Sequence, residues 1–137
     1  MQTTGLRRTL AVAAGIVALI FGLATLAQGG MTLFGDVATR AASGNIVPFV
    51  LWFNFLAGFA YVAAGIGLAF DRRWAVRLAA LIAAATAAVF VAFGIYVWLG
   101  RAYEIRTVAA MTLRTVFWLG VWALGSWVLR QRESTTH

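Results

Sequence analysis

The sequence predicts an all-α polytopic membrane protein, a four-transmembrane-helix bundle that forms one domain over residues 1–137. Composition is the first reason: 63% of the residues are hydrophobic and 11% are charged, whereas a soluble domain carries about 25% charged residues. The second reason is that the apolar residues fall in four runs, each close to the roughly 20 residues that a spanning helix needs. The runs do not alternate apolar and polar residues as membrane β-strands do, so helices are expected.

Each run has its own helix signals. The second starts behind Asn45, a favoured N-cap, and carries Pro48 in its first turn, where a missing amide hydrogen costs little. The third follows a tight hairpin in which Asp71 is expected to act as the N-cap. The longest connection, 29–44, is expected to form a short interfacial turn, with a plain loop as the alternative. The predicted helices cover residues of about 10–28, 46–70, 74–100 and 107–129.

The first run also has the features of a secretory signal. Arg7 and Arg8 precede it, and Thr25-Leu26-Ala27 is a candidate cleavage site. Its apolar stretch is longer than the roughly 7–15 residues of a usual signal core. We therefore interpret the run as a retained transmembrane helix.

The arginines predict the orientation of the bundle, because cytoplasmic loops of membrane proteins are enriched in basic residues. The first group lies at the termini and the second connection: Arg7, Arg8, Arg72, Arg73, Arg77, Arg130 and Arg132. The second group lies at the other end: Arg40, Arg101 and Arg106. Both termini are therefore expected in the cytoplasm. Because the composition is rich in alanine and arginine and free of lysine, a bacterial inner (cytoplasmic) membrane is the expected location.

Several function classes are disfavoured by what the sequence lacks. Cysteine is absent, which removes disulfides, thiolate metal sites and cysteine nucleophiles. The single histidine is His137 at the chain end, so neither a metal nor a cofactor is expected. Nucleic acid is not expected as a partner, because the arginines lie at the ends of apolar runs rather than along one polar face. The expected partners are the lipid bilayer and either another membrane protein or further copies of this chain.

Small residues mark the faces where helices are expected to meet, because association in lipid depends on close packing and polar contacts. They recur every three or four residues in the first and second helices. The glycines expected at these contacts are Gly15, Gly22, Gly58 and Gly65. An ordinary bundle interior explains this pattern; the alternative is that the Asn54–Tyr61 side of the second helix lines a polar cavity.

Arg114 is the most informative residue, because an arginine at the bilayer centre costs at least about 2.5 kcal/mol on insertion scales. Counted from the helix starts, Arg114 and Asn54 both lie about 10 Å deep, so the Asn54 amide oxygen is expected to accept from the guanidinium. Trp118, one turn on, is a candidate cation–π partner. With Tyr61, these residues form a predicted intramembrane polar cluster. The alternative is that Arg114 extends to the membrane surface and only anchors its helix.

Charged residues also gather on the side opposite the termini, here predicted to be periplasmic. They are Glu104, Arg106 and Asp36. Glu104 and Arg106, together with Arg114, are candidates for binding an anion or a lipid headgroup. An interfacial salt bridge is the more common outcome for such residues.

With this topology, the chain resembles the DoxX-like group of small four-helix bacterial membrane proteins. The resemblance rests on Arg7-Arg8 before a glycine-containing first helix, the pattern Asn54…Gly58…Gly65-Ile66-Gly67-Leu68, and the arginine-rich hairpin before an alanine-rich third helix. It covers residues 6–100 and implies a small helical bundle with a redox-linked role. The chain departs from the group at Asn54, where an acid is usual, and at Gln28, where a lysine is usual.

These observations favour a non-enzymatic protein, a membrane-embedded accessory or scaffold subunit of a larger complex. The alternative is an oligomeric transporter or channel for anions or small solutes that uses Arg114 and Asn54. An enzyme is less expected, because the sequence contains no HExxH, GxSxG or phosphate-loop motif and no paired carboxylates.

Overall fold

The computed structural model describes residues 2–135, and His137 lies outside them. Within this range the chain is all-helical, and four of its helices are long and apolar enough to cross a membrane, as the sequence predicts. They are joined by short connections, one of which contains a further, six-residue helix. The elements are α1 (Gln2–Phe34), α2 (Val37–Ala42), α3 (Pro48–Ala69), α4 (Arg73–Trp98) and α5 (Ile105–Glu133).

The first helix extends beyond its apolar run in both directions. It begins at Gln2 rather than near residue 10 and ends at Phe34 rather than near residue 28, because a helix continues through polar residues until a cap or a breaker stops it. Asp36 then starts α2, where its side chain accepts a hydrogen bond of 2.8 Å from the Thr39 amide. The connection 29–44 is therefore the end of one helix and a short second one.

Two of the predicted helix caps are wrong. Val47, not Asn45, is the N-cap of α3, and Arg72, not Asp71, is the N-cap of α4. Asp71 has a left-handed backbone with φ of 62°, a conformation that aspartate tolerates better than most residues. Its carboxylate instead forms an ion pair with Arg132 of α5. Asp71 therefore links the connection between α3 and α4 to α5 and does not cap a helix.

The helices pack as two pairs. The contact between α1 and α3 is the most extensive, α4 lies against both α3 and α5, and α1 touches α5 only sparsely. We call the two ends of the bundle the Glu104 end, with residues 35–47 and 99–104, and the Asp71 end, with the start of α1, the end of α5 and residues 70–72. The sparse seam between α1 and α5 leaves space for a cavity.

Close packing of α1 on α3 depends on glycine. A Cβ atom on Gly15 would lie 2.7 Å from the carbonyl oxygen of Gly65, and one on Gly65 would lie 2.6 Å from the backbone nitrogen of Leu19. Gly22 and Gly58 also face the opposite helix of this pair, where a Cβ atom would come within 2.9 Å of side-chain atoms. The backbones of α1 and α3 therefore approach too closely for any larger residue at positions 15 and 65.

Candidate functional site

A polar cavity of about 180 Å³ lies between α1, α3 and α5 at the Glu104 end. Its polar lining comes from all three helices and from the segment before α3. The hydrogen-bonding or charged residues of the lining are Thr25, Gln28, Thr32, Ser43, Asn54, Arg106, Thr107 and Arg114. Two arginines and no acidic residue line the cavity, which gives it a positive character.

Arg114 lies at the deep end of this cavity. It follows the start of α5 at Ile105 by nine residues, about 13 Å at the rise of an α-helix. Only 8% of its surface is exposed, so its side chain points into the bundle. Asn54 of α3 lines the same cavity. No hydrogen bond joins the two side chains within the described residues, and the Asn54 Oδ1 and Arg114 Nε atoms are both buried without a partner there.

An aromatic layer of Phe21, Tyr61, Phe117 and Trp118 lies next to Arg114, on the side of the Asp71 end. The Arg114 guanidinium carbon lies 5.7 Å from the centre of the Phe21 ring, so the cation–π partner is Phe21 of α1 and not Trp118. The Phe21 ring is 5.0 Å from Phe117 and stacks on Tyr61 at 5.7 Å. The Trp118 ring is tilted against Tyr61, with 4.8 Å between the two ring centres.

Below Arg114, three helices direct polar groups toward the same point. Thr86 of α4 and both Arg114 and Trp118 of α5 face the hydroxyl group of Tyr61 on α3. Tyr61, Thr86 and Trp118 are fully buried. The Tyr61 hydroxyl, the Thr86 hydroxyl and the Trp118 indole nitrogen have no hydrogen-bond partner among residues 2–135. The Tyr61 hydroxyl thus lies beside the Arg114 guanidinium and provides no negative charge in its neutral form.

None of the four acidic side chains of the protein, all within the described part of the chain, neutralises Arg114. Asp36 caps α2, and Asp71 pairs with Arg132 at the opposite end. Glu133 ends α5 at that same end. Glu104 accepts hydrogen bonds from the backbone nitrogen and the Nδ2 atom of Asn45, at 2.9 and 3.0 Å. The arginine therefore keeps a buried positive charge that no acidic side chain among residues 2–135 matches.

Glu104 and Arg106 hold the chain at the rim of the cavity. The hydrogen bonds from Asn45 lower the pKa of the Glu104 carboxyl group, and nearby Arg106 lowers it further. Arg106 itself reaches the carbonyl oxygens of Ala42 and Ser43, both at 3.5 Å. The two residues thus tie the start of α5 to the connection before α3, and Arg106 also lines the cavity that contains Arg114. Asp36 lies apart from them, with a pKa lowered by its hydrogen bonds from Thr39.

Some residues of the site did not emerge from the sequence. From the sequence, Thr25, Phe21 and Thr86 were not connected with Arg114. One signal was present: Thr25, Gln28 and Thr32 recur at spacings of three and four residues in an otherwise apolar helix, which indicates one polar face. Nothing in the sequence indicated that Phe21, rather than Trp118, would lie under the guanidinium.

Comparison of the chain with known protein families, with curated proteins and with solved structures finds no match. The resemblance to the DoxX-like group therefore stays a prediction. A functional assignment must come from the cavity itself.

Proposed function

We propose that this chain is a multi-pass protein of a bacterial inner membrane, with both termini in the cytoplasm, that binds a small anion in the cavity above Arg114. The Glu104 end then faces the periplasm, and the anion enters the cavity from that side. Binding of a solute, rather than catalysis, is the activity proposed.

The observation that carries this proposal is the buried, unmatched charge of Arg114. Ionised groups inside a membrane protein are costly unless they are paired, and they commonly mark sites for ions or substrates. The cavity brings Arg114 and Asn54 to one surface with hydroxyl-bearing residues such as Thr25 and Thr107. Such groups donate hydrogen bonds to an anion. An anion bound there would supply the charge that the chain itself does not place beside Arg114.

The cavity favours the solute-binding hypothesis over the scaffold hypothesis. An accessory subunit needs a surface that binds its partner. That function does not require a charged cavity inside the bundle. That role, like a role in transport, stays a prediction. An oxyanion site on Arg114 and Asn54 is the part of the transporter hypothesis that the geometry supports.

The proposed orientation predicts the behaviour of reporter fusions. A reporter fused after Phe70 is expected to be active in the cytoplasm, and one fused after Gly100 is expected to be active outside, because the arginines are concentrated at the Asp71 end. Paired cytoplasmic and external reporters at both positions provide the measurement. An external signal after Phe70 would overturn the proposed orientation.

The proposed binding predicts that a small carboxylate stabilises the purified protein. Butyrate at about one hundred times its dissociation constant should raise the free energy of unfolding by about 2.7 kcal/mol, because it binds only the folded state. The melting temperature in detergent at constant ionic strength is the measurement, and butyramide, which has the same shape and no charge, is the control. Equal effects of the two compounds would contradict the proposal.

A further inference from the structure

We infer that the cavity is selective for a monovalent oxyanion, a carboxylate or a phosphodiester, over a divalent one. The inference rests on the proposed function and specifies the class of its ligand. It follows from the number and placement of the positive charges in the cavity.

The deep part of the cavity contains a single positive charge. Arg114 is the buried arginine of the lining, whereas Arg106 is exposed at the rim. The two lie eight residues apart on one face of α5, about 12 Å along the helix. Arg106 also donates to the carbonyl oxygens of Ala42 and Ser43. A monoanion on Arg114 thus forms a neutral pair, whereas a dianion leaves one negative charge unmatched at depth.

The volume and walls of the cavity suit a small anion. The cavity is partly open and measures about 180 Å³, and an enclosed apolar cavity of roughly 150 Å³ already accepts a molecule as large as benzene. The walls also include Gly29, Leu51 and Ala110, which suit a short hydrocarbon part. A small organic acid fits these dimensions, and so does the phosphodiester group of a lipid headgroup. Both present the oxygen atoms that a guanidinium binds through two parallel hydrogen bonds.

The aromatic layer confines the ligand to the Glu104 end of the bundle, so the ligand does not extend toward the Asp71 end. Phe21 and Phe117 meet beneath Arg114 at 5.0 Å. Beyond them, toward the Asp71 end, lies a small cavity of about 20 Å³, lined by apolar residues such as Val121 and Val128 and, at that end, by Asp71 and Arg72. A longer ligand would therefore have to pass the aromatic layer and these apolar residues before a second negative charge could meet another cation.

Calorimetric titration of the full-length protein with matched anions tests the inference. The probes are butyrate and dimethyl phosphate as monoanions and succinate as a dianion, at neutral pH and constant ionic strength. Butyrate and dimethyl phosphate are expected to bind at least about tenfold more tightly than succinate. Arg114→Gln should abolish this binding. Arg101→Gln, which removes an exposed arginine from the same end of the bundle, should leave it intact.

Two vesicle compositions separate the two sources of the ligand. If a lipid phosphodiester is the natural ligand, vesicles of phosphatidylcholine, which contains this group and has no net charge, should weaken butyrate binding, and vesicles of the neutral lipid digalactosyldiacylglycerol, which contains no phosphate, should not. If a free acid is the ligand, the two vesicles should give equal affinities. Either result supports a monovalent oxyanion.

If succinate binds as tightly as butyrate and its binding depends on Arg114, the inferred charge selectivity is wrong. The anion site itself would then remain supported. Absence of any binding that depends on Arg114 would overturn both this inference and the proposed function.

Discussion

Replacing Gly65 with alanine is expected to destabilise the folded protein by about 3 kcal/mol, at the upper end of the usual cost of overpacking. The added Cβ atom would lie 2.6 Å from the Leu19 nitrogen and 2.8 Å from the Gly15 carbonyl oxygen. These are backbone atoms of α1, so no side-chain rotation relieves the clash, and the two helices must separate. A lower melting temperature in detergent is the expected result.

Gly94→Ala is the matched control for this experiment. A Cβ atom at Gly94 of α4 meets no atom within 4 Å, so the same substitution should be neutral or stabilising by up to about 1 kcal/mol through helix propensity. The Gly58 position gives an intermediate case, because a Cβ atom there would meet the flexible end of the Leu26 side chain at 2.9 Å. If Gly65→Ala melts at the same temperature as Gly94→Ala, the close contact between α1 and α3 is wrong.

Replacing Arg114 with lysine is expected to weaken butyrate binding by roughly tenfold to a hundredfold while leaving the protein folded. Lysine keeps the charge but lacks the planar fork that makes two parallel hydrogen bonds, and a hydrogen bond to a charged group contributes about 1.5–3 kcal/mol. Its flexible stem can carry the ammonium group toward the cavity mouth, so the cost in folding is small. Titration of the wild type and the variant under identical conditions gives the ratio of dissociation constants.

Arg114→Gln separates binding from stability. Because it removes a buried charge that no acid matches, the protein without anion should be as stable as the wild type or more stable. The variant should gain nothing from butyrate. A large loss of stability in Arg114→Gln without anion would mean that the guanidinium is a structural group, and the proposed function would fail.

The sequence was sufficient to predict the four long apolar helices, because a helix is the main way for a long apolar run to satisfy its backbone hydrogen bonds away from water. It was not sufficient for the helix ends. Asp71 and Asn45 are good capping residues by type, yet both have partners distant in the chain, Arg132 and Glu104. The capping propensity of a residue type contains no information on partners that are distant in the chain. The tertiary contacts therefore determined which residues became the caps.

The depth of the site residues in the bundle was predictable from the sequence, because depth follows from the number of residues between a side chain and the start of its helix. That count places Asn54 and Arg114 at one level, and both line the cavity. The rotation of each helix about its axis is set by packing, however, and a count along the helix does not give it. For this reason the partner of the guanidinium, Phe21, and the contribution of Thr86 to the layer around Tyr61 required the structure.

Whether an anion occupies the cavity at Arg114 can be seen in an experimental structure of the protein with a brominated carboxylate such as 4-bromobutyrate. We expect an anomalous bromine peak inside the cavity between α1, α3 and α5. We also expect carboxylate oxygens at about 2.7–2.9 Å from the guanidinium nitrogens. An Arg114 head group in the lipid headgroup layer, with no bromine peak in the cavity, would show that Arg114 does not form an anion site.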